Sequence, residues 1–472
     1  MNTALLIPPA DEDELQAPRA CSGLGYFTHS FTPDADDIPP ITSAGVLLRE
    51  FRVEFGKLWY LAAPAMFTSI CQYSLGAVTQ TFAGHISTLD LAAFSVENTW
   101  GMGSALETLC GQAYGAGQME MLGVYMQRSW IILLATSLLL TLIYVFAEPI
   151  LLVLGQDKDI SRTAAQFSWW MIPQLYAYAL NFPISKFLQA QSKMMAMAWI
   201  SAAALVIHVA LSWLLMLRLG WGMAGGALVL NASWWFVVVA QLVYIWAGAC
   251  PQAWTGFSCQ AFRNLWGFVK LSAASAVMLC LEMWYFTALV LFAGYLKNAE
   301  LSVDALSICM NILGWTIMIS IGLNAAVSVR VSNELGAAHP RTAKFSMVVV
   351  VVTATLLSLV VAAIILIFEK QYPSVFTESV AIGAGWQALV AYVNIGCYYM
   401  FGIPLGLLMG YVLNMGVKGI WIGMITGTVV QTFCLFLMVY RTNWNKEASV
   451  AADRIKKWGG EIYTKADNQL VG

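Results

Sequence analysis

Apolar residues in this chain come in long blocks, not in alternation. The blocks fall at 57–83, 91–110, 124–147, 164–190, 194–217, 222–247, 267–293, 302–326, 345–368, 387–413 and 417–440. A run of about 20 such residues crosses roughly 30 Å of hydrocarbon as a helix. Only helices and closed barrels satisfy their own backbone polar groups at that depth. The pattern therefore predicts an all-α integral membrane protein with eleven spans. The block at 91–110 is the weakest, since it holds Glu97, Glu107 and two glycines, Gly101 and Gly103.

Composition agrees. Hydrophobic residues make up 59% of the 472 and charged residues 11%, with a mean hydropathy of +0.70; soluble chains carry about 25% charged residues. A net charge of −2 gives no electrostatic basis for nucleic acid as a partner. The nine cysteines are scattered, mostly inside apolar blocks (Cys71, Cys280, Cys309, Cys397, Cys434). They form no CxxC pair or Cys/His cluster, so no metal or other cofactor is expected. Cys250 and Cys259 share a loop and could bridge, although reduced thiols facing cytosol are the expectation. The start of the chain lacks the basic stretch and short apolar core of a signal peptide.

Lysine and arginine set the orientation. One set of loops holds Arg49, Arg52, Lys57, Arg128, Lys186, Lys193, Arg263, Lys270, Arg330, Arg341 and Lys344; the other holds only Lys158, Arg162, Arg218, Lys297, Lys370 and Lys418. The positive-inside rule places the first set in the cytosol. The expected organisation is a disordered tail at 1–45, an N-terminal lobe at 46–247, a cytosolic inter-lobe loop at 248–266, a C-terminal lobe at 267–440 and a basic tail at 441–472. Trp254, Phe257, Phe262 and Trp266 suggest an amphipathic helix along the membrane surface in the inter-lobe loop.

The lobes are related. Gln112-Ala-Tyr-Gly-Ala-Gly-Gln is echoed 221 positions later by Asn333-Glu-Leu-Gly-Ala-Ala-His. Phe82-Ala-Gly matches Phe292-Ala-Gly at an offset of 210, and Gly222-Met-Ala-Gly matches Gly416-Val-Lys-Gly at an offset of 194. The changing offset says that the first half is about 11 residues short between Gly84 and Gly115. The second half is about 27 short between Gly336 and Gly416, which is roughly one membrane helix. Either the last two spans are then inverted, or residues 369–386 cross the membrane themselves. Duplicated helix bundles are a common way of building a site that opens alternately to two sides.

Four strings carry a family likeness: Phe82-Ala-Gly-His-Ile, Gly101-Met-Gly-Ser-Ala-Leu-Glu-Thr-Leu-Cys-Gly-Gln-Ala-Tyr-Gly-Ala-Gly, Ser272-Ala-Ala-Ser-Ala-Val-Met-Leu-Cys-Leu-Glu-Met-Trp-Tyr-Phe and Asn324-Ala-Ala-Val-Ser-Val-Arg-Val-Ser-Asn-Glu-Leu-Gly-Ala. Over about residues 45–458 the chain resembles plant members of the multidrug and toxic compound extrusion (MATE) family, in particular the flavonoid-carrier branch. The resemblance implies twelve helices in two six-helix lobes around a central cavity. It also implies exchange of organic solutes (flavonoids, alkaloids, xenobiotics) for protons, in the vacuolar membrane with the plasma membrane as alternative, by a monomer. Against that pattern the second helix is shortened where Trp100 meets Gly101, and the tenth is missing where Glu378 runs into Gly383.

Glu282, in the middle of 267–293, is the candidate proton-coupling group. Burial favours the neutral form of a carboxyl, so such a group can bind and release a proton near neutral pH, and the resembled carriers use this position for coupling. The null account is a structural glutamate bonded to a neighbouring helix. Gln72 holds the matching place in the first lobe. Candidate solute contacts are Gln72, Tyr176, Asn181, Trp284, Tyr285, Asn311, Asn394 and Tyr398, amide and aromatic groups suited to planar or cationic organic solutes; helix packing is an equal account of each. Glu107 reads as an anchor for the Gly-rich turn or as a gating residue, and His208 as a hydrogen-bonded packing residue. The chain has no histidine or aspartate cluster of the sort a membrane enzyme would need.

Overall fold

The computed structural model describes residues 37–84, 106–153, 158–263, 265–270, 299–368, 395–413 and 417–457, with 272–273, 276–277, 281, 393 and 415 between them. All regular structure among these residues is helical. In chain order the helices are α1 (Ala44–Gly84), α2 (Leu106–Gly115), α3 (Met119–Val145), α4 (Ala147–Val153), α5 (Lys158–Ala190), α6 (Met194–Arg218), α7 (Gly222–Ala249), α8 (Ala299–Gly336), α9 (Pro340–Phe368), α10 (Ile395–Gly402, Ile403–Leu407 and Leu408–Val412 in succession), α11 (Val417–Arg441) and α12 (Trp444–Lys457). Five of them, in α1, α3, α6, α7 and α9, are long and apolar enough to cross a membrane. Glu97, Glu282, Trp284, Tyr285, Asn394 and both shortened junctions lie outside the described residues, as does the side chain of Asn311 on α8.

Several helices outrun the apolar blocks that announced them. α1 starts at Ala44 instead of 57 and α8 ends at Gly336 instead of 326. The added turns carry Arg49, Glu50, Arg52, Glu54, Arg330 and Glu334, whose charge hides a helix from hydropathy but does not prevent one.

One core lies inside the first lobe, where Leu109, Tyr125, Phe167, Phe187 and Val238 are fully or almost fully buried. The second core belongs to both lobes. Leu58, Leu61, Ala62 and Ala65 of α1 pack with Ala326, Val327 and Val331 of α8, with Ala343 and Val349 of α9, and with Trp444 of α12.

α10 and α11 form an antiparallel pair. Tyr398 bonds Gln431 at 2.7 Å, the Cys397 and Cys434 sulfurs lie 4.0 Å apart, and Gly406 faces Gly423. Gly423 also lies against the Gly402 carbonyl, and Gly419 against Met409 and Gly410, the small-residue spacing that lets membrane helices touch closely.

This pairing settles the direction of the last two spans. α12 packs on α2, α8 and α9, so Arg441 lies on the face where α9 begins. Ile395, beside the end of α11, lies on that face too. α9 is about 43 Å long at 1.5 Å per residue, so Phe368 lies on the opposite face. Among the described residues, Phe368 and Ile395 therefore lie on opposite faces, and α10 and α11 are not inverted.

Three surface expectations change. Residues 251–263 are turns with one short 3-10 turn at Cys259–Phe262, not an amphipathic helix. Gln127 accepts from Ser258 N and donates to Gly256 O (both 2.9 Å), and Arg128 donates to Gln260 O, so α3 takes up the loop's polar backbone. Trp254 turns inward onto Trp130, whereas Phe257, Phe262 and Trp266 are exposed. Cys250 is buried, Cys259 is exposed, and both are free thiols. The tail at 441–472 opens with a packed helix, and the 1–45 segment is docked from Asp37 onward.

Candidate functional site

The two echoed segments meet. α2 ends on Gly115 and α8 on Gly336, and they end alike. Ala116 N donates to Gln112 O at 3.0 Å and Gln118 N to Ala113 O at 2.9 Å; Ala337 N donates to Asn333 O at 2.9 Å and His339 N to Glu334 O at 2.8 Å. Each cap passes through a left-handed residue, Gly117 (φ 75) and Ala338 (φ 62), the usual device for stopping a helix.

The contact is reciprocal. A Cβ added to Gly115 would strike the Asn333 carbonyl, one added to Gly336 would strike the Gln112 carbonyl, and one added to Gly111 would strike the Ser332 hydroxyl. The repeat offset of 221 carries Gly115 to Gly336, Gln112 to Asn333 and Gly111 to Ser332, so the first two contacts exchange under the repeat and Gly111 and Ser332, which touch each other, mark the local two-fold axis between the lobes. Both faces are dry, with Gln112 and Ser332 fully buried. Asn333 Nδ2 adds a 3.2 Å bond to Ala190 O at the end of α5.

Beside this seal lies a buried charge cluster. Arg330 on α8 donates to Glu54 on α1 through Nε (2.9 Å) and Nη2 (3.0 Å), a two-pronged bond across the lobes. Ser346 on α9 donates to the same Glu54 oxygen that Nε reaches. Arg330 Nη1 lies 2.8 Å from Glu334, one helical turn on, whose other oxygen accepts from His339 Nδ1 at 3.0 Å. Arg330 is 1% exposed, Glu54 5% and Glu334 1%. Buried carboxylates are costly unless paired and hydrogen-bonded, which explains why one guanidinium is shared by two of them. The sequence offered only the Arg330–Glu334 spacing of four as a signal.

The arrangement joins the two echoed segments at one end of the helix bundle, and comparison with known proteins shows what kind of bundle it is. The MatE family model matches residues 64–214 and 274–382. Protein DETOXIFICATION 29 of Arabidopsis thaliana is 62% identical over 466 residues, covering 90% of this chain and 93% of the relative. The chain belongs to the MATE family. Protein DETOXIFICATION 30 of the same plant is 61% identical over 466 residues, with 90% and 94% covered. The crystal structure of the eukaryotic MATE transporter AtDTX14 matches with a TM-score of 0.79 at 32% identity, covering 86% of this chain and 99% of that one. An outward-facing MATE transporter of the MOP superfamily shares the fold alone (TM-score 0.73, 14% identity, 85% and 97% covered). This MATE protein is therefore an integral, multi-pass transporter.

The alignments also measure its length. The 466 aligned positions take up 90% of 472 residues, about 425, so about 40 positions of the relative face none here.

Within this MATE fold the predicted residues take different places. Gln72 on α1 is partly buried, and its amide nitrogen has no partner among the described residues. Tyr176 lies 3.1 Å from the Thr141 hydroxyl, joining α5 to α3 inside the first lobe. Asn181, 8% exposed, accepts from Ser185 on its own helix at 3.4 Å. Tyr398 is 1% exposed and bonded to Gln431, a helix-pair contact. Glu107 pairs with Lys186 at 2.8 Å, which ties α2 to α5 and anchors the seal from the first lobe. His208 is fully buried between Thr79 (2.9 Å) and Ser233 (2.8 Å), joining α1, α6 and α7 as a packing residue does. The structure thus brings together Glu107 and the 112–118 turn at the seal, and sets Tyr176 and Tyr398 apart from it. The residues that the sequence pattern did not single out are Glu54, Arg330, Glu334 and His339.

Proposed function

We propose that this chain is a proton-coupled antiporter that moves small organic solutes, planar aromatic compounds of the flavonoid type foremost, by alternating access. The observation that supports it is the reciprocal contact of Gly115 and Gly336 with Asn333 and Gln112. A two-fold contact at one end of two related lobes closes one face and can part without disturbing either lobe's own core. Glu282 is the proton-binding group: neutral, it costs little inside the bundle; charged, it changes which helix packing is favoured. The vacuolar membrane suits solute sequestration down a proton gradient. The test is uptake of a flavonoid glycoside by vesicles carrying a pH gradient, native chain against Glu282→Gln. Loss of gradient-driven uptake with retained solute binding supports the role; unchanged uptake removes Glu282 from the mechanism.

A second reading is favoured by the shortened length: a transport-inactive splice variant or truncated gene model that acts at most as a partner of a full-length protein. Restoring the residues absent near Trp100 and Glu378 distinguishes the two. The restored chain alone transports under this reading, and both chains transport under the first.

A further inference from the structure

We infer that the two ends of the chain form a pair of crossed straps over the cytosolic seal, and that release of Asp37 from α9 is a condition for the lobes to part there. The inference rests on the alternating-access reading. Its first strap is the segment before α1. α1 belongs to the first lobe, yet the residues just ahead of it are bound to the second. The Asp37 carboxylate accepts from Thr342 N (2.8 Å), Thr342 Oγ1 (2.7 Å), Arg341 N (3.1 Å) and Arg341 Nε (3.2 Å), and Ile38 N donates to Thr342 Oγ1 at 3.2 Å.

Asp37 thereby caps α9 from 304 residues away. The first backbone N–H groups of a helix lack partners within it, and the positive end of its dipole favours a carboxylate. Pro340 at the start of α9 has no N–H to offer, so Arg341 and Thr342 supply the first two donors.

The second strap runs the other way. α12 follows the last helix of the second lobe but packs on α2 of the first as well as on α8 and α9. Trp444, 6% exposed, enters the core shared by the lobes. Trp444, Ala448, Ala451 and Ile455 recur at helical spacing along it, with Lys446, Asp453 and Lys457 at other positions. Each lobe thus sends a chain end across to the other. Lobe separation stretches both straps, so their binding energy adds to the closed state.

The experiment uses the full chain with its nine native cysteines replaced, reconstituted in vesicles, with Ser332→Cys as reporter and labelling read by mass at position 332. Ser332 is fully buried at the axis, so an impermeant maleimide added from the cytosolic side labels it only when the lobes part. Asp37→Asn and Trp444→Ala should each raise the labelling rate by about fivefold, the size expected from losing a charge-assisted hydrogen-bond set or a part-buried aromatic. Ile38→Cys with Thr342→Cys should do the opposite, slowing labelling when oxidised and restoring it on reduction. Unchanged rates in Asp37→Asn and in the oxidised pair would overturn the inference. Solute uptake is not needed for this readout, so a failure of the strap is distinguishable from a failure of the transport reading.

Discussion

Glu54 and Arg330 stand 276 positions apart in the sequence and 2.9 Å apart in space, one on each lobe, both almost wholly buried. Glu54→Gln takes one of two carboxylates from Arg330 and leaves Ser346 with a weaker acceptor. Breaking a buried pair by removing one charge costs about 3–5 kcal/mol. The expected outcome is a lower melting temperature in detergent together with faster cytosolic labelling of Ser332→Cys. Arg330→Lys should behave as a loss, since an ammonium cannot reproduce the two-pronged bond.

The glycines at the seal give a sharper contrast. Gly115→Ala and Gly336→Ala place a methyl where a backbone carbonyl already sits, so α2 and α8 must separate. Both variants should lose the closed state, seen as labelling at Ser332→Cys even without solute. Gly56→Ala is the control: nothing lies within 4 Å of its Cβ position, and alanine should stabilise α1 by about 0.5–1 kcal/mol.

Ala338 carries strain that its counterpart avoids. Position 117 is glycine at φ 75, whereas position 338 is alanine at φ 62. A left-handed non-glycine residue costs about 1–2 kcal/mol, so Ala338→Gly should raise the melting temperature without altering uptake.

The strap is insensitive to pH over the working range. Burial opposes ionisation of Asp37, but the hydrogen bonds from Thr342 and Arg341 together outweigh it and hold its pKa below the ordinary 3.8. A carboxyl lowered on folding adds stability that is present above 3.8 and lost as pH falls through its folded value. The ratio of the labelling rates of Ser332→Cys with and without Asp37→Asn, in which the thiol's own ionisation cancels, should therefore stay flat from about pH 5 to about pH 8. A pH dependence of transport in that window must come from another group, and Glu282 is the one proposed.

Much of this was legible in the sequence. Apolar blocks located the membrane helices, and the echo at 112 and 333 named the segments that meet on the axis. What hydropathy could not show were polar turns of helix beyond the bilayer: Ala44 to Glu54, Arg330 to Gly336, and α12. Glu54 and Arg330 are unremarkable singly, and only the antiparallel packing of α1 and α8 makes them partners. The cavity assignments for Tyr176 and Tyr398 rested on residue type, which does not distinguish a solute contact from a hydrogen bond between helices.

The central claim is that the lobes part at the contact between Gln112 and Asn333. It is tested most directly by the distance between spin labels at Glu120→Cys and Lys344→Cys, exposed positions at the starts of α3 and α9, in reconstituted chain freed of its nine native cysteines. The account predicts two populations, a short one matching the closed seal and a longer one whose share changes with pH and solute. Glu282→Gln should fix that share. A single short distance under every condition, in protein that still moves solute, would contradict it.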